Sequence, residues 1–385
     1  MDAVYLDYAA TTPLDPVVRD AMAACNGDDG LLANPASIHI AGRRSAALVA
    51  DARATLAALL NTTPDRLVWT SGATESNNLA IRGMALARAH RGKHLVTMPT
   101  EHKAVSDTCR ALEKDGFEVT WLPPGQDGHL DLDQLQAALR DDTQLVSVMH
   151  VNNETGVIQD IEAIGGICRE RGVLFHTDAA QSVGKLPIDL QALPVDLLSM
   201  TAHKFYGPQG VGALFVADRP GCVPHPILHG GGQERRLRPG TLPVQLVVGA
   251  GTAAQVAAER RMADYDHMVQ LRERLWRGLE VLDGLTFNSL RDRGYPGILN
   301  VGADGIEGES LMLGLEPVCA ASGSACNSTS GEPSFVLRSL GRSDLEAQSA
   351  VRLSFGRMTT TAEIDMAVRR YGETVDRLRS IAPVT

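Results

Sequence analysis

The stretch that decides the fold is Leu197-Leu-Ser-Met-Thr-Ala-His-Lys-Phe-Tyr-Gly-Pro-Gln-Gly210. A short apolar run ends in polar residues and Lys204, and a turn at 207–210 then leads into a second apolar run at 211–216. This pattern predicts a strand, a functional loop and a second strand. Because a lysine between buried strands loses its hydration, its nitrogen needs a partner, and a Schiff base to an aldehyde cofactor would supply one. On spacing alone, a solvated surface lysine is the better interpretation.

Composition limits the classes of protein to which the chain can belong. With 385 residues, the chain can bury a large core and form two domains. Its net charge of −10 argues against a basic surface that binds nucleic acid directly. Residues 1–8 lack the features of a signal peptide and no run approaches about 18 apolar residues, so we expect a cytoplasmic protein without membrane contact. The six cysteines form no C-x-x-C pair, which argues against disulfides or a zinc site.

Strand and helix patterns alternate through much of the chain. The predicted strands, which amphipathic helical segments separate, are residues 67–70, 94–98, 117–122, 145–150 and 173–176. This alternation predicts an α/β fold with a mostly parallel sheet covered by helices on both faces. Ligands of such sheets bind beyond the carboxyl ends of the strands. The polar side chains that we expect at this edge are Thr74, His102, Asn153, Asp178, Gln181, His203 and Lys204.

Three features at this edge favour a bound cofactor. The turn that begins at Ser71 opens a helix whose free N–H groups suit a phosphate, although an ordinary N-cap explains the turn equally well. Asp178 precedes Lys204 by 204 − 178 = 26 residues. A carboxylate on the pyridine nitrogen and a lysine on the aldehyde are the two groups that pyridoxal phosphate requires. Alone, Asp178 would be interpreted as a helix cap, but beside this turn and His102 the cofactor interpretation is favoured.

The second half of the chain predicts a further domain. A glycine-rich loop at 229–241 precedes a long helical pattern from 244 to about 282. We expect a large domain at 15–260 and a smaller α+β domain made of 1–14 and 261–385. Within the smaller domain, Cys326 lies in a polar loop whose small residues leave its thiol reachable. A linker that happens to contain a cysteine is the alternative interpretation.

Nearly the whole chain, residues 4–380, resembles the pyridoxal-phosphate cysteine desulfurases of the IscS/NifS type. The segments that carry the resemblance are 5–13 (YLDYAATTP), 34–37 (NPAS), 70–76 (TSGATES), 100–105 (TEHKAV), 149–154 (MHVNNE), 203–204 (HK), 229–232 (HGGG) and 322–326 (SGSAC). Each segment alone would be weak evidence for this family, but the eight segments together are highly specific for it.

The resemblance implies a fold-type I, aminotransferase-like homodimer that uses pyridoxal 5′-phosphate. Lys204 would carry the cofactor, Asp178 would contact its pyridine nitrogen, Gln181 would contact its phenolic oxygen, and His102 would stack on its ring and move protons. The residues implied for the phosphate are Ala73, Thr74, Thr201, Ala202, His203 and, from the other subunit, Thr241. The residues implied for the substrate are Asn34, Asn153, which would also touch the cofactor, and Arg352, the arginine as a bidentate fork.

The implied reaction converts L-cysteine to L-alanine and transfers the sulfur to Cys326 as a persulfide. Acceptor proteins such as an iron–sulfur scaffold would take the sulfur for cluster assembly, and tRNA thiolation is a further use. The chain departs from the family pattern where Thr201-Ala202 replaces Ser-Gly and where Pro239 replaces serine. It also stops at Thr385, short of the tail that docks the scaffold in well-known relatives, so the choice of acceptor stays open.

Two other functions compete with this one. A class-V aminotransferase or a selenocysteine lyase would keep Lys204 and Asp178 but would not need a cysteine in a loop. A sulfur-carrier scaffold with secondary or lost catalysis is the second alternative. The presence of Lys204, Asp178, His102 and Cys326 argues against lost catalysis.

Overall fold

The computed structural model of the chain describes residues 3–25, 31–322 and 332–381, so Cys326 lies outside the described residues. In these ranges the helices are α1 (Pro16–Ala24), α2 (Ile40–Leu59), α3 (Ala73–Ala87), α4 (Lys103–Lys114), α5 (Leu132–Ala138), α6 (Ile161–Glu170), α7 (Val244–Leu279), α8 (Gly308–Gly314), α9 (Phe335–Ser339), α10 (Asp344–Gln348) and α11 (Thr361–Ile381). The strands are β1 (Val4–Tyr5), β2 (Leu67–Thr70), β3 (His94–Thr97), β4 (Glu118–Trp121), β5 (Thr143–Ser147), β6 (Leu174–Asp178), β7 (Leu197–Thr201), β8 (Gly212–Val216), β9 (Leu285–Phe287), β10 (Ile298–Ala303), β11 (Val318–Cys319), β12 (Ala321–Ser322) and β13 (Ala350–Ser354).

Seven of the described strands form the central sheet in the order β2-β8-β7-β6-β5-β3-β4. Five of them, β3 to β7, run parallel to one another, whereas β8 is antiparallel to both β2 and β7. The antiparallel orientation of β8 relative to β7 follows from the short connection at 202–211. This connection can form a hairpin but is too short for a parallel crossover. The predicted mostly parallel α/β sheet is therefore confirmed.

Alternate strand residues pack against opposite helical layers. Val146 and Phe175 join the apolar cluster that contains side chains of α2, α6 and α7. Their neighbours Leu145 and Leu174 join the cluster that contains side chains of α3 and α4. Since side chains alternate along a strand, continuous apolar runs are required to fill both layers.

The strand boundaries differ from the predicted ones at two places that matter for the site. Strand β5 ends at Ser147, before the predicted limit of residue 150, although the backbone N–H of His150 still donates to Asp178 O at 3.0 Å. Strand β6 includes Asp178 as its last residue. An apolar pattern marks the buried part of a strand but does not mark where its ladder of hydrogen bonds ends.

A second, antiparallel sheet of four described strands has the order β12-β13-β10-β9. It packs with α8 and α11 in a separate apolar cluster, to which the N-terminal residues Val4 and Leu6 also belong. Helix α7 contributes residues to the clusters of both sheets. The division at residues 15 and 260 stays a prediction. In the ranges described above, no helix is both long and apolar enough to cross a bilayer.

Candidate active site

A cavity of about 580 Å³ opens where the carboxyl ends of β6 and β7 meet the amino ends of α3 and α4 and the side of β13. Its volume is in the usual range for a cofactor or small-molecule site. The predicted site residues that line it are Ala73, Thr74, His102, Asn153, Asp178, Gln181, Thr201, His203, Lys204 and Arg352. Residues from both sheets therefore meet at one cavity.

Three predicted residues of the described chain do not line this cavity. Ala202 is buried in the apolar cluster below it, because the turn after β7 directs its methyl group into the core. Asn34 is exposed, and its side-chain Oδ1 accepts a hydrogen bond from Ala36 N at 2.9 Å. Thr241 is exposed at the end of the glycine-rich loop. The binding roles given to these residues stay predictions.

Lys204 ends a single 3-10 turn, Ala202–Lys204, that directly follows β7. Its side chain is partly buried, and Nζ donates hydrogen bonds to Ala10 O at 2.7 Å and to Ala9 O. A solvated surface lysine would not be held in this way. The amine is therefore fixed at the wall of the cavity, as the cofactor interpretation requires.

Asp178 is buried at the end of β6, and each of its oxygens accepts a hydrogen bond. Oδ1 accepts from Ala180 N at 2.9 Å, which is the local turn interaction expected of a capping aspartate. Oδ2 accepts from Asn77 Nδ2 at 2.7 Å, which joins β6 to α3. A local capping role therefore accounts for the bond at Oδ1. The bond between Oδ2 and Asn77 has no part in capping and holds the carboxylate against α3.

The amino end of α3 has the features of an anion site. Gly72 is its N-cap residue, and no side chain caps the first turn, so neither Ser71 nor Thr74 plays that part. Uncapped first-turn N–H groups and the positive end of the helix dipole favour a phosphate. Gly72 has φ 155°, and a Cβ atom there would lie 3.5 Å from Thr201 Oγ1 on the neighbouring strand. The contact distance is ordinary, so it is the positive φ that favours glycine at this turn.

Glu75 would repel a phosphate at this place unless its charge were compensated. Its carboxylate accepts hydrogen bonds from Ser71 N at 2.7 Å and from Arg238 Nε at 2.8 Å. Burial alone would raise the pKa of Glu75, but the bonds from Arg238 and Ser71 outweigh it and lower the pKa. The ion pair also ties the glycine-rich loop to α3.

His203 is neutral at physiological pH. Its Nδ1 lies 3.1 Å from Thr11 Oγ1. Burial, and then the charges of Lys204 and Lys185, lower the pKa of His203 to about 4. With only these neighbouring groups, the ring can therefore present an N–H but not a positive charge.

His102 is the N-cap residue of α4, where its Nδ1 accepts a hydrogen bond from Ala104 N at 3.1 Å. In a neutral imidazole whose Nδ1 accepts, the proton is on Nε2. The group that this ring can present to a ligand is therefore an N–H donor. To accept a proton at Nε2, the ring would have to change tautomer and lose the bond to Ala104.

Arg352 lies on the central strand of the smaller sheet, and 1% of it is exposed. Nη1 donates to Asn153 O at 2.9 Å, and Nη2 donates to Asp7 Oδ1 at 2.8 Å. Each of these nitrogens carries a second N–H, and Nε has no hydrogen-bond partner among the described residues. The guanidinium is thus positioned by Asp7 and Asn153 and keeps donors for an anionic ligand.

Two buried acids near the cavity were not expected from the sequence. Glu101 is fully buried, and its Oε1 accepts from Met149 N at 2.7 Å. Burial, with a smaller contribution from the charge of Asp178, raises the pKa of Glu101 well above its usual range. Glu154 accepts a hydrogen bond from Ser334 Oγ at 2.5 Å and thereby fixes the start of α9. In the sequence, each adjoins a predicted site residue and lies in a segment that carries the family resemblance, but the sequence predicted no role for either.

Comparisons with known proteins agree with this geometry. The model of the class-V aminotransferase family matches residues 4–366. Cysteine desulfurase IscS from Pectobacterium atrosepticum is 50% identical over 99% of this chain and 95% of its own length. A solved structure of a NifS-like protein is 34% identical with a TM-score of 0.91, over 98% of this chain and 100% of that one. The structure of SspA in complex with cysteine is 37% identical with a TM-score of 0.81, over 91% of this chain and 98% of that one.

The similarity covers both sheets and every residue that lines the cavity. It therefore supports the fold-type I assignment made from the sequence and excludes a fortuitous match of one motif. The chain belongs to the class-V aminotransferase family and, within it, to the cysteine desulfurases, which use pyridoxal phosphate.

Proposed function

We propose that the chain removes sulfur from L-cysteine, releases L-alanine and holds the sulfur as a persulfide on Cys326. The observation that carries this proposal is the meeting of Lys204, Asp178 and the uncapped end of α3 at one cavity. A lysine for the aldehyde, a carboxylate for the ring nitrogen and an anion site for the phosphate fit pyridoxal phosphate. The solved relative SspA is in complex with cysteine, which supports the choice of substrate.

The residues that would hold the cofactor follow from their places in the cavity. Ala73, Thr74, Thr201 and His203 would bind the phosphate, since they surround the amino end of α3. The Asp178 carboxylate would contact the pyridine nitrogen, and Gln181 the phenolic oxygen. When bound at Lys204, the cofactor supplies an electron sink for the bond that breaks at Cα of the substrate. His102 would cover the ring and offer its Nε2–H.

The substrate carboxylate would bind to Arg352 and Asn153. Arg352 already has one N–H of each Nη nitrogen engaged by Asp7 and Asn153, so its orientation is set before a ligand arrives. The remaining donors can form a charge-assisted bond to a carboxylate. A fixed guanidinium loses little side-chain entropy on binding, which favours tight recognition of the amino acid.

Sulfur transfer requires a nucleophile on the small-domain side of the cavity. The Cys326 thiolate would attack the substrate sulfur, so that an S–S bond forms and the Cβ–S bond breaks. The electron pair of the broken bond stays with carbon, which takes up a proton and leaves as alanine. Two described residues flank Cys326 in the sequence. Ser322, before it, pairs with Val351 beside Arg352, and Phe335, after it, lines the cavity.

The proposed setting is a cytoplasmic homodimer that delivers sulfur to acceptor proteins. An iron–sulfur scaffold is the proposed acceptor, because the relatives include IscS proteins, and tRNA thiolation is a second use. A class-V aminotransferase or a selenocysteine lyase would share the cofactor site but would not depend on Cys326. The role of this cysteine therefore separates the alternatives.

The test is the Cys326→Ala variant. It should bind pyridoxal phosphate and L-cysteine normally, because those steps use Lys204, Asp178 and Arg352. Its release of alanine from cysteine should fall by at least about 10³-fold, because the covalent route for sulfur is lost. In wild-type protein treated with cysteine, mass spectrometry after alkylation should find the persulfide on Cys326.

The matched control is Cys319→Ala, which removes the exposed cysteine of β11. This variant should keep the wild-type rate of alanine release. A near-normal rate in Cys326→Ala, or a persulfide on Cys319, would contradict the proposal and favour the aminotransferase or lyase alternative.

A further inference from the structure

Lys185 is a buried lysine close to the cavity to which the reaction gives no role. It follows Gly184, which has φ 76° and packs so closely on Phe205 that a Cβ atom would lie 2.7 Å from the phenylalanine Cβ. The backbone N–H of Lys185 donates to Ser182 O at 3.0 Å, which places the lysine in the helical turn after β6. Only 9% of the residue is exposed. The turn therefore directs the Lys185 side chain into the protein.

The ammonium group of Lys185 has an unusual environment for a buried charge. Nζ donates to Gln181 Oε1 at 2.9 Å and lies 5.4 Å from the centre of the Tyr295 ring. Among the residues of the described ranges, no carboxylate lies within ion-pair distance of Nζ. The charged groups that face it are Lys204 and Arg352, which have the same sign. Burial and, to a lesser extent, these two charges lower the pKa of Lys185 to about 7.

Burial of the Lys185 ammonium lowers the stability of the fold relative to an apolar side chain of the same size. Removing an ammonium from water is costly, and neither a cation–π contact nor one amide oxygen replaces a counter-ion. A buried, unpaired lysine beside an active site is therefore better explained by function than by stability.

Lys185 and Ala9 contact opposite ends of the Gln181 carboxamide. The protonated amine can only donate, so it requires the oxygen end of the carboxamide, and the neutral amine, which a pKa of about 7 also allows, can donate to the same oxygen. On the other side, Gln181 Nε2 donates to Ala9 O at 2.8 Å, and a carbonyl can only accept. Both partners select the same orientation, in which the second N–H of Nε2 is the donor that remains for the cavity. The Ala9 carbonyl also accepts from Lys204 Nζ, so the four residues form one chain of hydrogen bonds.

We propose that Lys185 is a positioning residue that fixes the Gln181 carboxamide so that its N–H meets the bound cofactor. The inference rests on the proposed contact between Gln181 and the phenolic oxygen. A carboxamide that is free to turn would present its oxygen to the phenolate for part of the time. Two oxygen acceptors would then face each other, and the cofactor would bind less tightly.

The test is a double-mutant cycle with Lys185→Met and Gln181→Ala, measured as the dissociation constant of the apo-protein for pyridoxal phosphate. We expect each single variant to bind the cofactor about 10-fold more weakly than the wild type. The double variant should bind no more weakly than Gln181→Ala alone, because residues that act through one another are not additive. The absorption band of the bound cofactor should also shift in Lys185→Met, because the donor to the phenolic oxygen is no longer held.

A second measurement separates positioning from a structural role. Methionine fills the same space without a charge, so relief of the buried ammonium offsets the loss of the bond to Gln181 Oε1, and the melting temperature of apo Lys185→Met should stay close to that of the wild type. Lys185→Gln keeps an N–H for Gln181 Oε1 and should recover part of the lost affinity. A lower melting temperature or an unfolded Lys185→Met protein would make the lysine structural and overturn the proposal.

Unchanged affinity and absorption in Lys185→Met would overturn it too, as would additive losses in the double variant. A wild-type apo-protein that fails to bind pyridoxal phosphate would instead contradict the cofactor site itself. The two failures are therefore distinguishable. Lys114→Met, at an exposed position near the end of α4, is the matched control and should change neither measurement.

Discussion

The residues around Lys204 in the sequence do not distinguish it from a surface lysine, but its amine is held by two backbone carbonyl groups in the fold. The carbonyl oxygens of Ala9 and Ala10 hold its amine at the cavity wall, and these acceptors come from the N-terminal segment, 195 and 194 residues away. Spacing alone favoured a surface lysine, and the sequence pointed to a cofactor lysine only when Asp178 and His102 were considered with it. The sequence could not predict the acceptors, because contacts over such a separation depend on how the two sheets pack.

The first prediction concerns the covalent attachment of the cofactor. Lys204→Ala should bind pyridoxal phosphate without covalent attachment, because Nζ of Lys204 is the amine that would form the linkage. Borohydride reduction followed by mass spectrometry should add the mass of the cofactor to wild-type protein and to Lys114→Ala, but not to this variant. Covalent cofactor on Lys204→Ala would show that another amine carries it.

Glu101 gives the protein a dependence of stability on pH. Because burial raises its pKa, the folded protein keeps a proton that the unfolded chain has released above about pH 4.5. The folded state therefore binds more protons than the unfolded state, and stability falls as pH rises through that window. The slope for one such group is at most about 1.4 kcal/mol per pH unit.

Replacing Glu101 by glutamine should remove this dependence. The carboxamide of Glu101→Gln can still accept the bond from Met149 N, and it does not ionise. The stability of this variant relative to wild type should therefore increase between about pH 5 and about pH 8. Urea unfolding of both apo-proteins at the two pH values measures the change. An equal difference at both values would mean that Glu101 is ionised in the folded protein.

At the scale of elements, the glycine-rich loop at 229–241 is held by charged residues. Glu234 is nearly buried, and its carboxylate bonds Arg53 at 2.6 and 2.8 Å and accepts from Trp69 N at 2.7 Å. Glu234 to Arg236 have φ of 42°, 57° and 65°, a left-handed run that costs about 1–2 kcal/mol for each residue that is not glycine. The ion pairs with Arg53 and, further along, between Arg238 and Glu75 offset this strain.

Removing the charge of Glu234 should release this loop. We expect Glu234→Gln to lower the free energy of unfolding by about 2–3 kcal/mol, because Arg53 would lose its counter-ion in a poorly hydrated place. It should also weaken cofactor retention, since Arg238 of the same loop compensates Glu75 at the phosphate site. Glu259→Gln on the exposed face of α7 is the control and should change stability by less than about 0.5 kcal/mol. A loss no larger than that of the control would contradict the role given to this ion pair.

The elements themselves were the part most accessible to sequence analysis. Apolar runs and amphipathic spacing predicted the strands of the central sheet and the long helix α7, because periodicity reports directly on which face is buried. The edge at which Asp178, His102 and Lys204 meet followed from the parallel topology. The uncapped first turn of α3 could not be predicted, because Ser71 and Thr74 suit a cap equally well until the position of the turn is known.

For the whole molecule, the N-terminal segment joins the two sheets at the active site. Tyr8 N donates to Ser354 O of the smaller sheet at 3.2 Å, and Thr12 N donates to His203 O beside Lys204 at 2.9 Å. Asp7, directly before Tyr8, pairs with Arg352. A displacement of the smaller sheet would therefore move the proposed carboxylate site relative to the lysine. Leu6, Tyr8 and Ala9 of the segment YLDYAATTP are buried, but a run this short has no periodicity that would predict its position between two sheets.

The last prediction concerns the proposed dimer, and it arises because Thr241 is exposed and does not line the cavity of its own chain. If the resemblance is right, its hydroxyl reaches the phosphate of the partner subunit. Thr241→Ala should then weaken cofactor retention by about 10-fold, the loss expected for one hydrogen bond to a charged group, without changing the melting temperature of the apo-protein.

Mixed dimers decide whether the contact crosses the interface, with Lys204→Ala marking the site that cannot be fixed by borohydride. When Lys204→Ala and Thr241→Ala are on different protomers, the intact lysine site has a wild-type threonine from its partner and should retain reducible cofactor after dilution. When both changes are on one protomer, the partner of the intact lysine site carries Thr241→Ala, so this site lacks the threonine hydroxyl and should lose cofactor about 10-fold more readily. The reverse order would place Thr241 at the phosphate of its own chain, and equal retention in both arrangements would remove it from the cofactor site altogether.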